Sequence, residues 1–424
     1  MPHNQASPAM FRYRSLAAFL AWVSVAIFSV WMQAGQIAAP QAQPPSPRVS
    51  HVRVGIDVLE EQHFRLLRGK RIGLITNQTG VDWRGRRTID VIAHASGVKL
   101  VALFSPEHGI GAKANAPVGD SVDGPTDLPI YSLYGNVRRP TEAMLNNVDV
   151  LVFDIQDAGV RFYTYVTTMA YCMEEAAKRK IPFFVLDRPN PLGGEVIEGP
   201  TLDPDRTSFT GYFPMPVRYA MTMGEFAQMF NAENHIGADL YVMTMQGWHR
   251  RDTYDQTGLP WIPPSPNLRT VNAVFLYPGV EILQAGEESV GRGTDTPFEL
   301  VGAPWIHSAE LAAALNSRNI PGVSFAPAQF TPSEDPYNGK LCQGVRIRVT
   351  ERDSFRSMRM GLEIAHVLHQ LYPSHLYAGW NILLGSQSTF ERLIHGDAPA
   401  DIVASWSADL DKFRKMREKY LLYK

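Results

Sequence analysis

The sequence predicts an α/β protein in which a Rossmann-like domain with a parallel sheet precedes a smaller α+β domain. Through residues 52–262, short apolar runs alternate with segments of helical pattern, as in a parallel sheet that is covered by helices on both faces. A proline-rich crossing at 261–267 then interrupts the pattern. Beyond it, residues 344–350 alternate apolar and polar side chains, which is typical of a strand with one solvated face. We therefore predict domains at 52–262 and 263–424.

The strands of the first domain are predicted from runs of branched and aromatic apolar residues. Residues 71–76 end in a turn cluster, and residues 149–155 form the strongest strand pattern in the chain. The predicted strands are 71–76, 99–105, 130–133, 149–155, 182–186 and 240–245. Helices are predicted between them at 88–95, 162–180 and 223–234.

The smaller domain is predicted from three helical segments and two strands. The helices are 308–317, 355–371 and a long charged C-terminal helix at 401–420. The strands are 322–327 and 344–350. Such a mixture of helices and strands, without the strict alternation of the first half, is typical of an α+β domain.

The overall composition excludes several classes of protein. The chain has 424 residues, of which 45% are hydrophobic and 19% charged, which is ordinary globular usage. Its 40 basic and 42 acidic residues give a net charge of −2, so no excess of positive charge points to nucleic acid as a partner. Two cysteines, Cys172 and Cys342, are too few for a disulfide scaffold or a cysteine-rich metal module. We expect these two thiols to stay unpaired.

The N-terminus is predicted to be an export signal or a membrane anchor. Residues 16–32 are almost wholly apolar and follow Arg12 and Arg14, as the hydrophobic region of an export signal follows its charged region. A proline-rich linker at 40–47 comes next, and the folded part is expected to begin near Val52. We expect an exported protein, periplasmic or extracytoplasmic. Membrane attachment through an uncleaved segment 16–32 stays open as an alternative to cleavage.

Polar loops follow four of the predicted strands. In open parallel sheets, ligands bind outside the carboxyl ends of the strands, and loops at that edge are free to carry functional side chains. Four polar loops that converge on one edge of the sheet therefore predict an active site there. These loops comprise residues 77–80, 106–111, 154–163 and 187–194.

Glu107, which lies just beyond an apolar strand, is the candidate general acid. A carboxyl group against the hydrophobic end of a sheet can acquire a raised pKa and donate a proton near neutral pH. A local pairing or capping role is the alternative. Asp154 and Asp157 are candidates for a second carboxylate, although Asp157 also fits the cap of the following helix. His108 is a candidate for an orienting or a direct catalytic role.

Three arginines are candidates for a bidentate clamp on a substrate carboxylate, namely Arg161, Arg188 and Arg292. For each of them a structural ion pair with a nearby aspartate is the alternative. Other candidate substrate-binding residues are Asn77, Gln78, Gln156, Tyr163 and Asn190.

No known cofactor or nucleophile motif is present in the sequence. The first turn lacks the glycine-rich dinucleotide fingerprint, and the chain has neither a phosphate-binding loop nor a serine-nucleophile or zinc-protease motif. His366 and His369 lie at helical spacing, but no third ligand is evident near them. We therefore expect no cofactor and no metal ion.

Long blocks of this sequence resemble the bacterial NamZ family of exo-β-N-acetylmuramidases, once known only as a domain of unknown function. The blocks keep a fixed order from about Gly55 to Tyr372, which is far more specific than any single motif. They comprise residues 77–80, 104–109, 154–165, 187–194, 198–200, 263–267, 291–294, 297–299 and 302–305. Residues 287–290 depart from the small polar run that the family usually has before its Gly-Arg-Gly-Thr block.

The resemblance implies an active site in the cleft between the two domains. It implies an exo-acting glycoside hydrolase that releases N-acetylmuramic acid from the non-reducing end of peptidoglycan fragments, with Glu107 as the catalytic glutamate. Such muramyl sugars carry a lactyl carboxylate, for which the site needs an arginine, and an exported enzyme fits a cell-wall substrate. The alternatives are a non-catalytic binder of peptidoglycan fragments and a different cell-wall hydrolase.

Overall fold

A computed structural model describes residues 51–112, 115–375 and 377–424. The predicted export signal and the linker at 40–47 lie outside the described residues. Within the described ranges, no helix combines the length and the apolar character needed to cross a membrane.

A seven-stranded sheet organises the larger part of the fold. The strands of this part are β1 (Arg71–Thr76), β2 (Lys99–Ser105), β3 (Ser121–Asp123), β4 (Leu128–Ser132), β5 (Val150–Asp154), β6 (Phe183–Leu186), β7 (Glu198–Thr201), β8 (Pro216–Arg218) and β9 (Leu240–Met243). The order across the main sheet is β3-β4-β2-β1-β5-β6-β9, whereas β7 and β8 form a separate ribbon. All neighbours in the main sheet are parallel except β3, which is antiparallel to β4. The predicted α/β class with a mostly parallel sheet is thus confirmed.

Helices cover both faces of this sheet, as the continuous apolar strands predict. The helices of this part are α1 (Gly55–Glu61), α2 (Thr88–Ala93), α3 (Glu142–Leu145), α4 (Tyr165–Lys178) and α5 (Met223–Glu233). Ile72 and Leu74 of β1 pack in one hydrophobic core with residues of α1 and α2. Ile75 packs in the other core with residues of α4 and α5. Successive side chains of a strand point to opposite faces, so both faces are buried.

The smaller part is built on a three-stranded antiparallel sheet. Its elements are α6 (Val271–Gln284), β10 (Leu300–Ala303), α7 (Ser308–Ser317), β11 (Val323–Phe330), β12 (Cys342–Val349), α8 (Ser357–Leu371), α9 (Trp380–Leu384), α10 (Gln387–His395), α11 (Pro399–Ser405) and α12 (Ser407–Glu418). The strand order is β10-β12-β11. Side chains on both sides of the proline-rich crossing share one hydrophobic core, and the boundary between 262 and 263 stays a prediction.

The C-terminal region differs from the single long helix predicted at 401–420. Two helices, α11 and α12, meet at Trp406 instead. The indole of Trp406 is buried and donates a hydrogen bond to Thr389 of α10 over 3.0 Å. A tertiary contact of this kind fixes the break, and the local sequence pattern does not reveal it. Cys172 and Cys342 are buried free thiols.

Helix α6 is the element that the sequence does not predict and that matters most for the site. Its residues are almost all buried, and Pro278 lies inside it. Because it is apolar on every side and contains proline and glycine, it shows no amphipathic period. Gly279 allows α6 to approach α8 closely, since a Cβ atom there would lie 2.0 Å from the carbonyl oxygen of Ser357.

Candidate active site

One cavity of about 410 Å³ opens beyond the carboxyl ends of β2 and β5. Both parts of the fold contribute to its wall. It is lined by Glu107, His108, Tyr134, Arg138, Phe162, Tyr163, Thr164, Ser208, Phe209, Thr210, Ser265, Asn267, Tyr277, Glu281, Arg292, Phe298 and Leu383. We call this the main cavity. Of the site residues predicted from the sequence, Glu107, His108, Tyr163 and Arg292 line it.

Glu107 lies in the loop after β2 and is held by two hydroxyl groups. Thr164, which directly precedes α4, donates its hydroxyl to Glu107 Oε2 over 2.5 Å. Tyr134 forms a hydrogen bond with Glu107 as well, and burial, followed by that bond, raises the pKa of Tyr134 to about 12. Tyr134 therefore keeps its proton at neutral pH and remains a donor. The carboxyl group of Glu107 is half-buried and has a fixed position at the cavity wall.

The backbone turns sharply directly after Glu107. His108 and Gly109 both have positive φ angles, of 70° and 74°. A non-glycine residue in this region is strained, and such strain clusters at functional sites. His108 itself lines the main cavity. It is the neighbour of the candidate acid in the chain, and its proposed role stays a prediction.

Glu281 of α6 brings a second carboxyl group to the main cavity. Its side chain is 9% exposed, and its Oε1 accepts a hydrogen bond from Arg292 Nη2 over 2.8 Å. Its Oε2 is buried and has no hydrogen-bond donor among the described residues. Burial raises the pKa of Glu281, Arg292 opposes the shift, and the charge of Glu107 adds to it. Glu107 and Glu281 are therefore close enough to influence one another.

Asp154 and Arg188, by contrast, do not line the main cavity. Arg188 donates to both carboxylate oxygens of Asp154, over 2.5 Å and 2.9 Å. Thr88 adds a third hydrogen bond to the same carboxylate. Asp154 is fully buried and Arg188 nearly so. This geometry fits the structural alternative, an ion pair beneath the strand ends, for both residues.

Asp157 is also buried behind the cavity wall. Its Oδ2 accepts hydrogen bonds from the hydroxyl of Tyr219 over 2.5 Å and from the backbone of Gly159 over 2.6 Å. Burial raises the pKa of Asp157 to about 6. Because this carboxyl group has no surface on the main cavity, it braces the loop after β5 and does not face a ligand there.

The side chains of Gln156 and Asn190 fasten neighbouring loops to each other. Gln156 donates to the carbonyl oxygens of Asp157 and Pro189, over 2.9 Å and 2.8 Å. Asn190 donates to the carbonyl oxygen of Met221 over 2.9 Å. Neither residue lines the main cavity, so both occupy supporting positions.

Arg161 is a buried connector between the two parts of the fold. Its guanidinium donates to the carbonyl oxygens of Pro200 and Met215, over 2.8 Å and 3.0 Å. It also donates to those of Leu383 and Leu384, over 2.9 Å and 2.6 Å. Burial lowers the pKa of Arg161 to about 9. With four carbonyl partners, Arg161 is not placed to bind a substrate carboxylate.

Asn77 and Gln78 attach the proline-rich crossing to the sheet edge. Gln78 donates to the carbonyl oxygen of Pro263 over 2.6 Å. Asn77 donates to the hydroxyl of Tyr165 over 3.1 Å, and that hydroxyl donates to the carbonyl oxygen of Pro264 over 2.5 Å. The crossing is thereby held where Ser265 and Asn267 can line the main cavity.

A metal site in a protein needs several ligating side chains close together. Within residues 51–112, 115–375 and 377–424, no group of three or more histidine, cysteine, aspartate or glutamate side chains is arranged to hold a metal ion. The expectation that the protein needs no metal or cofactor stays a prediction.

Two carboxyl groups share the main cavity with arginine and tyrosine side chains, an arrangement that is compatible with glycoside hydrolysis. The chain belongs to the exo-beta-N-acetylmuramidase NamZ family, whose N-terminal domain matches residues 72–272 and whose C-terminal domain matches residues 275–423. A protein of Bacillus subtilis (strain 168), described as peptidoglycan beta-N-acetylmuramidase NamZ, is 45% identical over 402 residues. The match covers 92% of this chain and 97% of that protein.

Two crystal structures of DUF1343 family proteins from Bacteroides fragilis NCTC 9343 have similar folds. One is 39% identical, with a TM-score of 0.83, and the match covers 89% of this chain and 100% of that chain. The other is 30% identical, with a TM-score of 0.72, and the match covers 88% of this chain and 99% of that chain.

Proposed function

We propose that this protein is an exo-acting β-N-acetylmuramidase, with Glu107 as its general acid. It removes N-acetylmuramic acid from the non-reducing end of peptidoglycan fragments. The family and the Bacillus subtilis relative support the reaction. The observation that carries the assignment of residues is the presence of Glu107 and Glu281 on the wall of one cavity.

Glu107 is suited to protonate the glycosidic oxygen of the leaving group. The hydroxyls of Thr164 and Tyr134 fix its carboxyl group, so little reorganisation is needed when the glycosidic oxygen arrives. As the bond between C1 of the muramyl sugar and this oxygen breaks, the proton of Glu107 moves to the oxygen. The remainder of the glycan then leaves with a free hydroxyl group.

Glu281 takes the role of the second carboxylate in place of Asp154 and Asp157. Arg292 holds Glu281 in position and opposes the rise in its pKa that burial causes; in its ionised form Glu281 can stabilise positive charge at C1. Water adds its oxygen to C1 and gives its proton to one of the two carboxylates. The stereochemistry at C1, retention or inversion, decides which of the two carboxylates accepts this proton.

Aromatic side chains give the main cavity an apolar wall. Tyr163 packs edge-on against Tyr277, with ring centroids 6.0 Å apart, and Tyr277 packs in the same way against Phe298 at 4.9 Å. All three rings line the cavity. Such rings can bury the apolar face of a sugar ring.

We further propose that the protein is exported, because its substrate is a cell-wall polymer and residues 16–32 resemble an export signal. Mass spectrometry of the mature N-terminus tests this directly. A chain that begins downstream of residue 32 indicates a cleaved signal, and an intact N-terminus in the membrane fraction indicates an anchor. An intact N-terminus in the cytosol contradicts export.

The reaction is tested with the purified full chain and two disaccharides. One ends in N-acetylmuramic acid and the other in N-acetylglucosamine at the non-reducing end. Free N-acetylmuramic acid is expected from the first disaccharide alone, and Glu107→Gln is expected to lower its release by about 10²- to 10⁴-fold. Glu195→Gln, at an exposed glutamate away from the main cavity, is the control and should keep the wild-type rate.

The alternatives predict different results in this experiment. Tight binding of the muramyl disaccharide without any release contradicts the enzyme and supports a binding protein. Cleavage of another bond, such as an amide in a peptide-bearing fragment, supports a different cell-wall hydrolase. Full activity in Glu107→Gln excludes Glu107 as the acid.

A further inference from the structure

The three arginines that the sequence offers for a substrate carboxylate are already engaged within the protein. Arg161 donates to four carbonyl oxygens, and Arg188 is paired with Asp154. Arg292 reaches the main cavity, but its charge is compensated by Glu281 at 2.8 Å. A muramyl carboxylate entering this cavity would therefore still need a cation.

Arg138 supplies that cation. It lines the main cavity and is exposed. Among the described residues, it has no carboxylate within ion-pair distance, in contrast to both Arg139 and Arg292. Its guanidinium lies over the ring of Phe209, 4.5 Å from the centroid. A guanidinium that rests on an aromatic ring keeps its hydrogen-bond donors free at its edge.

The loop that carries Arg138 is fixed on both sides. Tyr134 is bound to Glu107. Arg139 pairs with Glu174, and its guanidinium lies 3.8 Å from the ring centroid of Tyr171. Arg138 lies between these two fixed residues, so the backbone that carries its side chain has a defined position near Glu107. Such preorganisation reduces the entropy that is lost when an anion binds.

The charges of the main cavity also favour this assignment. Two carboxyl groups, Glu107 and Glu281, face it together with Arg292. With Glu107 protonated as the acid, the charges of Glu281 and Arg292 compensate each other, and Arg138 adds a positive charge that can attract an incoming carboxylate. Phe209 holds Arg138 on the side where Ser208 and Thr210 add hydroxyl groups to the cavity wall.

We propose that Arg138 binds the lactyl carboxylate of the terminal muramyl group and is the residue that distinguishes this sugar from N-acetylglucosamine. The inference rests on the proposed function and assigns one subsite within it. A bidentate bond from a guanidinium to a carboxylate supplies both the charge and the geometry that this discrimination needs. Arg292 instead forms an ion pair with Glu281.

The test combines variants of Arg138 with two substrates. The first substrate is the muramyl disaccharide with a free lactyl carboxylate, and the second carries a methylamide in its place. Arg138→Met is expected to lower kcat/KM for the first by about 10- to 100-fold, mainly through KM. For the methylamide, wild type and Arg138→Met should react at similar rates. Arg138→Lys should restore part of the loss, and only the wild-type KM for the free acid should rise steeply with salt.

Arg84→Met is the matched control. Arg84 also lies over an aromatic ring, 4.9 Å from the centroid of Trp83, but it lines a different cavity. Its loss should leave both substrates unaffected. An equal loss on both substrates in Arg138→Met, or no loss on either, overturns the assignment of Arg138. A wild-type protein that releases no N-acetylmuramic acid from either substrate contradicts the proposed function instead.

Discussion

Two groups of charged residues lie at the carboxyl edge of the main sheet, and the protein uses them differently. Glu107 and Glu281 line the main cavity, and an oxygen of Glu281 has no donor among the described side chains and backbone groups. Asp154 and Arg188 are instead buried, and their charges are paired with each other. The first group is accessible to a ligand in the main cavity, and the second is engaged within the protein.

The difference shows what decides the role of a charged side chain at such an edge. All four residues are of types that hydrolases use; Glu107 and Arg188 closely follow predicted strands, and Asp154 lies within one. A buried charge without a partner is costly, and Asp154 and Arg188 behind the wall are paired with each other. Residues at the main cavity present polar atoms on its wall, and a substrate can form hydrogen bonds with them.

The largest expected effect comes from Glu281. Glu281→Gln removes the proposed second carboxylate, and we expect kcat to fall by about 10²- to 10⁴-fold. Gln keeps nearly the same volume but loses the ion pair with Arg292, so some loss of stability should accompany the loss of kcat. Steady-state kinetics on the muramyl disaccharide, with circular dichroism of the same samples, measure the two effects.

Glu198→Gln provides the control for Glu281. Glu198 is likewise a buried glutamate paired with an arginine, Arg218, at 3.2 Å, but it does not line the main cavity. Its loss should reduce stability and leave kcat unchanged. If the two variants lose the same activity for the same loss of stability, Glu281 has only a structural role.

The next effect concerns stability. Arg188→Met leaves Asp154 buried without its partner, and we expect the free energy of unfolding to fall by about 3–5 kcal/mol. The kcat of the molecules that remain folded should stay near the wild-type value. Urea unfolding, together with kinetics normalised to the folded fraction, measures both quantities.

Arg71→Met removes a comparable arginine–aspartate pair at the surface, with Asp149. That pair is well exposed on both sides, so its loss should cost far less stability than the loss of the buried pair. A stable Arg188→Met protein with greatly reduced kcat would move Arg188 into the group that acts on the substrate.

The smallest effect is a pH dependence of stability at Asp157. Burial raises the pKa of Asp157 to about 6, above the value of about 3.9 in an unfolded chain. The folded state therefore binds this proton more tightly, and the stability that it contributes is lost as the pH rises through about 6. Asp157→Asn cannot ionise, so its stability relative to wild type should improve by at most about 3 kcal/mol from about pH 4 to about pH 7.

Urea unfolding of both proteins across this pH range tests the prediction. A constant difference between wild type and Asp157→Asn shows that the carboxyl group is not perturbed in the folded state. An advantage of the variant that grows toward low pH contradicts the sign of the shift.

The sequence predicts the sheet well, because each strand is a local apolar run. Strands 71–76 and 99–105 match β1 and β2 at both ends. The position of Glu107 at the sheet edge follows from the same pattern. The sequence does not predict helix α6, because apolar residues lie on every side of it and Pro278 interrupts the helical pattern. Glu281 belongs to this helix and is therefore not among the predicted site residues.

The partners of the charged residues could not be predicted from the sequence either. Arg188 and Arg138 are both arginines at loop positions, and their sequence neighbourhoods do not distinguish them. The contact of Arg188 with Asp154 spans 34 positions in the chain. The position of Arg138 over Phe209 likewise depends on a loop that is distant in sequence. Only the folded chain shows which charge is compensated.

A crystal structure of the Glu107→Gln protein with the uncleaved muramyl disaccharide tests the account most directly. The sugar should occupy the main cavity, with the glycosidic oxygen within hydrogen-bond distance of the side chain at position 107. C1 should lie beside Glu281, and the lactyl carboxylate should contact Arg138. A disaccharide bound against Asp154 and Arg188, or in the separate cavity of about 280 Å³ beside Arg251 and Arg356, would contradict the division between acting and supporting residues.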